Sequence, residues 1–135
     1  MITLPDTGLW IALTRSRSPR ALKAFVAPYI NNPNAALAEP IVFELLRNAT
    51  DPEAIQLTHL FQSLPLLAGP PSLWSDAVQL GRRCRAAGLS IGSIDLLIAT
   101  TAIHHDAQLI TFDTDFPRIA AVSKLRVKLL KSPSP

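Results

Sequence analysis

The chain has 135 residues, of which 48% are hydrophobic and 17% are charged, and its formal net charge is +3. This composition indicates one globular domain with a substantial hydrophobic core and excludes an intrinsically disordered chain. A single cysteine excludes a framework of internal disulfides, and no apolar run approaches the roughly 18 residues that span a bilayer. We therefore expect a cytoplasmic protein that does not insert into membranes.

Short apolar runs alternate with helix-start signals in the first half of the chain. Asp6 and Thr7 form a good helix N-cap, and proline after Ser18 suits the first position of another helix. The predicted elements are a strand at 2–5, a helix through 9–13, a helix from 18–19 to 30, a strand at 35–38, a helix that starts at 39–40, and a helix that restarts at 51–53.

The second half of the chain shows the same alternation of apolar runs and helix-start residues. Ser72 and Ser93 are expected to cap helices, and Gly88 is expected to stop the first of them. The predicted elements are a strand at 64–68, a helix from 72 to about 87, a helix at 94–104, and strands at 108–112 and 126–130. Residues 1–131 should form one domain, and the Ser-Pro-Ser-Pro sequence at 132–135 should be a frayed tail.

The predicted strands are continuously apolar instead of alternating, which is typical of parallel strands buried on both faces. Strands that alternate with helices favour an α/β fold, here a three-layer α/β/α domain around a short central parallel sheet. Ligands bind such sheets at the carboxyl ends of the strands. Polar residues at that edge are therefore the first candidates for a functional site.

Four acidic residues lie inside or directly beside the most apolar segments. Asp6 follows the first strand, Glu44 and Asp95 lie within apolar helices, and Asp113 follows a later strand. A buried carboxylate without a partner costs several kcal/mol, and only Arg47, one turn after Glu44, offers a nearby cation. A divalent metal ion shared by the four acids explains the pattern economically.

Each acid also has an ordinary alternative. Asp6 could only cap a helix, Glu44 could be a paired surface glutamate, Asp95 could favour the helix dipole, and Asp113 could be a turn residue. All four alternatives together are not credible, because the four residues should meet at one sheet edge. Hard divalent ions such as Mg²⁺ or Mn²⁺ prefer carboxylate oxygens and assist phosphodiester chemistry.

The four acid-bearing segments, in this order, resemble a PIN domain, and more narrowly the VapC-type toxins of toxin–antitoxin modules. The matching segments are Asp6-Thr7 with Leu9-Trp10-Ile11, Phe43-Glu44-Leu45-Leu46, Asp95-Leu96-Leu97-Ile98-Ala99, and Leu109-Ile110-Thr111-Phe112-Asp113-Thr114-Asp115-Phe116. The resemblance covers nearly the whole chain. It implies a metal-dependent endoribonuclease with an RNA substrate, a cognate antitoxin and a homodimeric toxin.

The resemblance also implies roles for individual residues. Asp6, Glu44, Asp95 and Asp113 would hold one or two Mg²⁺ or Mn²⁺ ions and serve catalysis. Asp115 is either a further metal ligand, a residue that orients Asp113, or a cap of the turn before Phe116. Thr7 and Thr111 would hydrogen-bond the ligand carboxylates, with ordinary capping or strand packing as the alternative. Two residues depart from the family pattern: Gly8 stands where Ser is usual, and Glu39 stands near a common Ser or Thr cap.

Basic residues give a weaker signal. The densest cluster, Arg82, Arg83 and Arg85, is either a solvated helix face or an RNA-contacting patch. His104 and His105 should lie at the far end of the helix that begins near Asp95, away from the acids.

Two other functions remain open on the sequence. One is a catalytically silent PIN-type module that binds RNA or protein. The other is a magnesium-dependent phosphotransferase or receiver domain, which needs a lysine at a later strand end, where only Lys128 is available.

Overall fold

Seven helices and five short strands alternate along residues 1–133, the part of the chain that the computed structural model describes. The elements are β1 (Thr3–Pro5), α1 (Thr7–Thr14), α2 (Arg20–Ile30), β2 (Leu37–Ala38), α3 (Glu39–Asn48), α4 (Asp51–Phe61), β3 (Leu66–Leu67), α5 (Leu73–Ala86), α6 (Ser93–His104), β4 (Gln108–Thr111), α7 (Asp115–Ala121) and β5 (Arg126–Leu129). Residues 134 and 135 of the predicted tail lie outside the described range.

The strands pair in parallel, as the sequence predicts. β1, β4 and β5 form one sheet in the order β1-β4-β5, and β2 pairs with β3. A parallel bridge between Thr3 and Ala35 connects the two groups, and the Ala36 N–H donates a 2.9 Å hydrogen bond to the Thr3 carbonyl. Because all these pairs are parallel, the carboxyl ends of β1, β2 and β4 face the same edge.

The core lies on both faces of the central strands. Leu4 and Pro5 are neighbours in β1, and Leu109 and Ile110 are neighbours in β4, and all four side chains are buried. Successive residues of a strand point to opposite faces, so helices must cover both faces of the sheet. This confirms the predicted α/β/α layering.

Some predicted elements differ from the structure. Helix α7 was not expected, because Asp113 and Asp115 read as turn residues, yet Thr114 takes the N-cap position of a helix. β3 contains only Leu66–Leu67 instead of 64–68. Helix α2 begins at Arg20 with Pro19 in the N-cap position, one residue later than expected.

Of the two predicted serine caps, Ser72 lies at the expected position without making a capping hydrogen bond, and the prediction for Ser93 is wrong. Ser72 occupies the N-cap position of α5, but its hydroxyl donates to Asp76 Oδ2 at 2.7 Å instead of accepting from the backbone. Helix α6 begins at Ser93 itself, and Gly92 is its N-cap. The predicted end of the helix at Gly88 is confirmed. Gly88 has a φ of 80°, and the Leu89 N–H donates a 2.9 Å hydrogen bond to the Cys84 carbonyl in the last turn of α5.

Candidate active site

Four acidic side chains from four separate segments line one open cleft of about 420 Å³. The residues that line it are Asp6, Thr7, Gly8, Glu44, Asp95, Phe112 and Asp113. The cleft lies where β1 and β4 end and where α1 and α6 begin, and the middle of α3 contributes Glu44. The structure therefore brings together the four acids that the sequence singles out, at the predicted edge of the sheet.

Asp6 owes its position to the change from strand to helix. It follows β1, its backbone is extended, and its Oδ1 accepts a 2.8 Å hydrogen bond from the Thr7 N–H at the start of α1. Only 7% of the residue is exposed to solvent. Asp6 therefore caps α1, and in that position its carboxylate lies at the edge of the cleft.

Thr111 connects Asp6 with Asp113. Its hydroxyl donates to Asp6 Oδ2 at 2.7 Å and accepts from the Asp113 N–H at 3.0 Å. Asp113 Oδ1 in turn accepts a 2.8 Å hydrogen bond from the Asp115 N–H at the start of α7. One buried hydroxyl therefore fixes the positions of the strand ends that carry the two acids.

Thr7 makes the equivalent connection to α3. Its hydroxyl donates to Glu44 Oε1 at 2.6 Å, which holds the half-buried glutamate toward α1. Asp95 lies in the first turn of α6, and no side-chain hydrogen bond to it is found within residues 1–133. In that part of the chain, Asp95 is the one acid of the four whose carboxylate accepts no hydrogen bond.

The electrostatics of the cleft oppose ionisation of two of its acids. Burial raises the pKa of Asp6 to about 6, and the charges of Glu44 and Asp113 add to the effect, against the hydrogen bonds from Thr111 and Thr7. Burial also raises the pKa of Asp95 to about 6, with further contributions from the other acids. A bound cation would relieve both penalties.

The donor atoms fit a divalent cation. Asp95, Asp113 and Asp115 each offer one carboxylate oxygen, and these three oxygens lie within 4.8 Å of one another. Carboxylate oxygens are the ligands that Mg²⁺ and Mn²⁺ prefer. Asp115, uncertain on the sequence, belongs to this tight group, whereas Asp6 and Glu44 line the same cleft with oxygens already held by hydroxyl groups.

The histidines and the arginine cluster lie elsewhere. His105 Nε2 is 2.6 Å from the Ala68 carbonyl oxygen, and His104 lines a different groove beside Arg83. Arg82 and Arg85 are exposed on α5, and neither lines the acidic cleft. The prediction that the histidines face away from the acids is confirmed, and the RNA-contacting role of the arginines stays a prediction.

Two residues of the cleft were not predicted as lining residues, Phe112 and Gly8. Phe112 precedes Asp113 and reads as part of an apolar strand, which gives no sign that its ring is only half-buried. Gly8 was noted only as a departure from a pattern. A side chain there would have room, since a Cβ would approach only Phe112 Cδ2, at 3.8 Å.

An acidic cleft at the carboxyl edge of a short parallel sheet is consistent with a PIN domain. The model of that family, described as PIN domain, matches residues 3–122. The chain therefore belongs to the PIN-domain family.

Within that family the similarity is to VapC ribonucleases. Ribonuclease VapC11 of Mycobacterium tuberculosis is 32% identical over 129 residues, which span 91% of this chain and 95% of that protein. Ribonuclease VapC19 of the same species is 32% identical over 102 residues, 75% of this chain and 82% of that protein.

Solved structures agree on the fold. VapBC2 from Rickettsia felis, bound to a DNA fragment from its promoter, superposes with a TM-score of 0.77 at 20% identity and covers 97% of this chain and all of that one. VapBC-1 from nontypeable Haemophilus influenzae superposes with a TM-score of 0.71 at 23% identity and covers 96% of this chain and 98% of that chain. Among residues 1–133, no helix is long and apolar enough to cross a membrane.

Proposed function

We propose that this protein is a metal-dependent endoribonuclease and the toxin of a type II toxin–antitoxin system. One observation carries the proposal: acids from four segments meet in a single open cleft, in a chain that is 32% identical to a VapC ribonuclease along most of both lengths. The reaction is hydrolysis of phosphodiester bonds in structured RNA, and unpaired loops are the parts of such RNA that proteins reach most readily.

One or two Mg²⁺ or Mn²⁺ ions are the proposed cofactor, held by Asp95, Asp113 and Asp115, with Asp6 and Glu44 completing the site. A divalent ion at a phosphodiester neutralises charge on the phosphate and lowers the pKa of water. The three-oxygen group supports the ligand set. The raised pKa values of Asp6 and Asp95 support the need for a cation.

The chain's own contribution is to hold these acids in place before substrate arrives. Thr111 orients Asp6 and the backbone of Asp113, and Thr7 orients Glu44. Preorganised charges need little rearrangement during the reaction, which is where electrostatic catalysis gains most. Thr7 and Thr111 are therefore positioning residues in this proposal.

The charge distribution supports a polyanionic substrate. The chain has thirteen Lys and Arg residues against ten acids. Five of those acids face or adjoin the cleft, so the remaining surface is more basic than the net charge of +3 suggests. A basic surface around a metal-filled acidic cleft attracts the RNA backbone and leaves one phosphate for the ions.

A cognate antitoxin and a second toxin copy are the proposed protein partners. Large apolar side chains remain exposed on several helices and give such partners surface to cover. They are Phe43 and Leu46 on α3, Ile55 on α4, and Trp74 and Val78 on α5. The site of action is the cytoplasm, where RNA is available and where a single cysteine is compatible with a reducing environment.

Purified protein, free of antitoxin, should be incubated with total cellular RNA in Mg²⁺, in Mn²⁺ and in EDTA. Discrete fragments that require metal and disappear in Asp95→Asn would support the proposal and identify the target. Asp51→Asn is the matched control, because Asp51 is an exposed acid at the start of α4 and does not line the cleft. Folded protein that cleaves nothing in any condition would favour a catalytically silent binding module instead.

A further inference from the structure

We propose that an aromatic row beside the acidic cleft binds unpaired nucleotides next to the bond that is cut. The aromatic row consists of Phe112, Phe25 and Tyr29, with Lys128 at its far end. The proposal deepens the proposed function, on which it rests, because it assigns a substrate-binding site to residues outside the acidic group.

The aromatic row is continuous with the cleft. Phe112 lines the cleft and directly precedes Asp113. The centroid of its ring is 6.3 Å from that of Phe25, with 33° between the planes, and the Phe25 centroid is 6.1 Å from that of Tyr29, with 62° between the planes. An RNA strand with a phosphate at the acids would therefore carry its neighbouring bases toward these rings.

All three rings are half-buried. Each packs against the hydrophobic core while part of its surface stays open to solvent. In this they differ from Trp10 and Phe116, which are fully buried. Partly exposed rings on a rigid base are the usual platforms on which single-stranded nucleic acid stacks, because every base has a π-face.

Lys128 adds a positive charge where the aromatic row ends. Its Nζ lies 5.2 Å from the centre of the Tyr29 ring, and its side chain is exposed on β5. The ion pairs within residues 1–133 are Arg118 with Asp115 and Arg126 with Asp106, so no carboxylate there neutralises Lys128. A lysine above an aromatic face is suited to a backbone phosphate whose base stacks nearby.

Gly8 keeps the first ring accessible. The residue is exposed in the first turn of α1, and the nearest atom to a Cβ built there is Phe112 Cδ2, at 3.8 Å. A longer side chain at this position would cover the side of Phe112 that faces the cleft. The glycine therefore leaves the edge of the Phe112 ring beside the cleft uncovered.

The order of chemical groups favours RNA over a protein partner as the occupant. The acids, with a bound cation, suit one phosphate, the three rings suit the bases next to it, and the lysine suits a further phosphate. This order matches the alternation of phosphates and bases along a nucleotide strand. Stacking on exposed rings tolerates any base, so the aromatic row contributes affinity and positions the strand without reading its sequence.

The test is RNA binding in a background that does not cut. Asp95→Asn protein in Mg²⁺ would be titrated with a fluorescent single-stranded oligoribonucleotide of mixed sequence. Addition of Tyr29→Leu should weaken binding about five-fold or more, because base–aromatic stacking is worth at least about 1 kcal/mol. Tyr29→Phe, which keeps the ring, should restore the affinity and shows that loss of folding is not the cause.

Trp74→Leu is the matched control, because Trp74 is the most exposed aromatic ring of the described chain and does not line the cleft. Because Trp74 also belongs to the apolar surface offered to protein partners, the variant is compared with its parent at the same oligomeric state, where its RNA affinity should be unchanged. A second readout uses RNA that contains 4-thiouridine: irradiation should crosslink it to the peptide that carries Phe25 and Tyr29, the single tyrosine of the chain. Equal affinities for Tyr29→Leu and its parent, or crosslinks confined to α5, would overturn the proposal.

The two proposals fail in different ways. If the wild-type protein cuts RNA while Tyr29→Leu binds normally, the nuclease stands and the aromatic row is refuted. If the wild-type protein cuts nothing but RNA binding depends on the Tyr29 ring, the nuclease proposal fails and the aromatic row remains only as an RNA-binding surface.

Discussion

The Thr111 hydroxyl donates a 2.7 Å hydrogen bond to Asp6 Oδ2, although the two residues are 105 positions apart in the sequence. The same oxygen accepts the Asp113 N–H at 3.0 Å. Thr111 is fully buried, so its polar group must be satisfied inside the protein, and these two bonds satisfy it. The end of β1 and the end of β4 are thereby tied together at the acidic cleft.

Replacing Thr111 with valine should impair the site more than the fold. Valine keeps the β-branched shape but loses both hydrogen bonds, so Asp6 and the Asp113 backbone lose their common anchor. Removal of a residue that hydrogen-bonds a metal ligand typically lowers metal affinity or activity by about 10- to 100-fold. We expect a loss of that size in kcat and in the affinity for Mn²⁺, measured by kinetics and by calorimetry.

Thr111→Ser is the control for this prediction, because serine retains the hydroxyl and should recover most of the activity. A valine variant with normal metal affinity and normal kcat would contradict the positioning role of Thr111. A change confined to thermal stability would contradict it as well, since ordinary strand packing would then explain the residue.

The sequence predicted which acids form the site better than it predicted the hydrogen bonds that hold them. Asp6 and Asp113 follow apolar strands, and parallel pairing brings strand ends together, so their proximity follows from local patterns. The bonds from Thr7 to Glu44 and from Thr111 to Asp6 depend on side-chain rotamers that no local pattern specifies. The sequence therefore indicated Thr7 and Thr111 as possible partners of the acids without showing which acid each one holds.

The metal-free protein should become less stable as the pH rises from about 4 to about 6. The folded-state pKa of Asp6 is about 6, above its ordinary value of 3.8, so the folded form binds the proton more tightly than the unfolded form. Stability then falls as pH rises through the interval between the two values. For Asp6 the upper bound is about 3 kcal/mol, and the half-buried Asp95 adds less because solvent screens it.

Thermal unfolding in EDTA at a series of pH values measures this effect. Asp95→Asn should reduce the slope of Tm against pH, because one of the two groups no longer titrates. Asp51→Asn, at an exposed position on α4, should keep the full slope. A wild-type Tm that is constant or rises across this interval would contradict the raised pKa values.

Metal ions should stabilise the wild-type protein and stabilise Asp95→Asn less. At about pH 7.5 the cleft acids repel one another in EDTA, so removal of one charge should raise the Tm of the metal-free variant. Mg²⁺ or Mn²⁺ bound only by the folded state raises the free energy of unfolding, and with it Tm, by an amount that grows with the logarithm of the ratio of ion concentration to Kd. Equal metal-induced shifts in the two proteins would remove Asp95 from the ligand set.

The arginine cluster on α5 should matter only for long RNA. Arg82 and Arg83 are exposed but do not line the acidic cleft, and Arg83 lies in another groove beside Asp76 and His104. Arg82→Ala with Arg83→Ala should lower the salt dependence of binding by about 0.7 per lost phosphate contact on a single strand. Titrations at several salt concentrations, with a long RNA and with a short oligonucleotide, test this difference.

For the short oligonucleotide the salt dependence should be the same with and without the arginines. Arg126→Ala is a suitable control, because Arg126 is already paired with Asp106 at 2.9 Å. If the long RNA also shows an unchanged slope, Arg82 and Arg83 belong to an ordinary solvated helix face.

Predictions from the sequence failed where two local signals compete. Asp113 and Asp115 have turn-forming side chains, and this signal concealed the start of α7, although Phe116 and Ile119 have helical spacing and are buried. Ser93 resembles a cap, but Gly92 takes the extended backbone that precedes α6. In both places the local sequence is compatible with two conformations. Tertiary packing, which the local sequence does not specify, selects one of them.

Two glycine-to-alanine substitutions should have opposite effects on stability. Gly8 lies within helix α1, and a Cβ there would make only an ordinary 3.8 Å contact, so alanine should stabilise the fold by about 0.5–1 kcal/mol. Gly88 has a φ of 80°, which L-residues rarely adopt, so alanine there should destabilise it by about 1–2 kcal/mol. Urea unfolding curves of both variants give the two values, and a Gly8→Ala variant less stable than wild type would show that the cleft does not accept a Cβ beside Phe112.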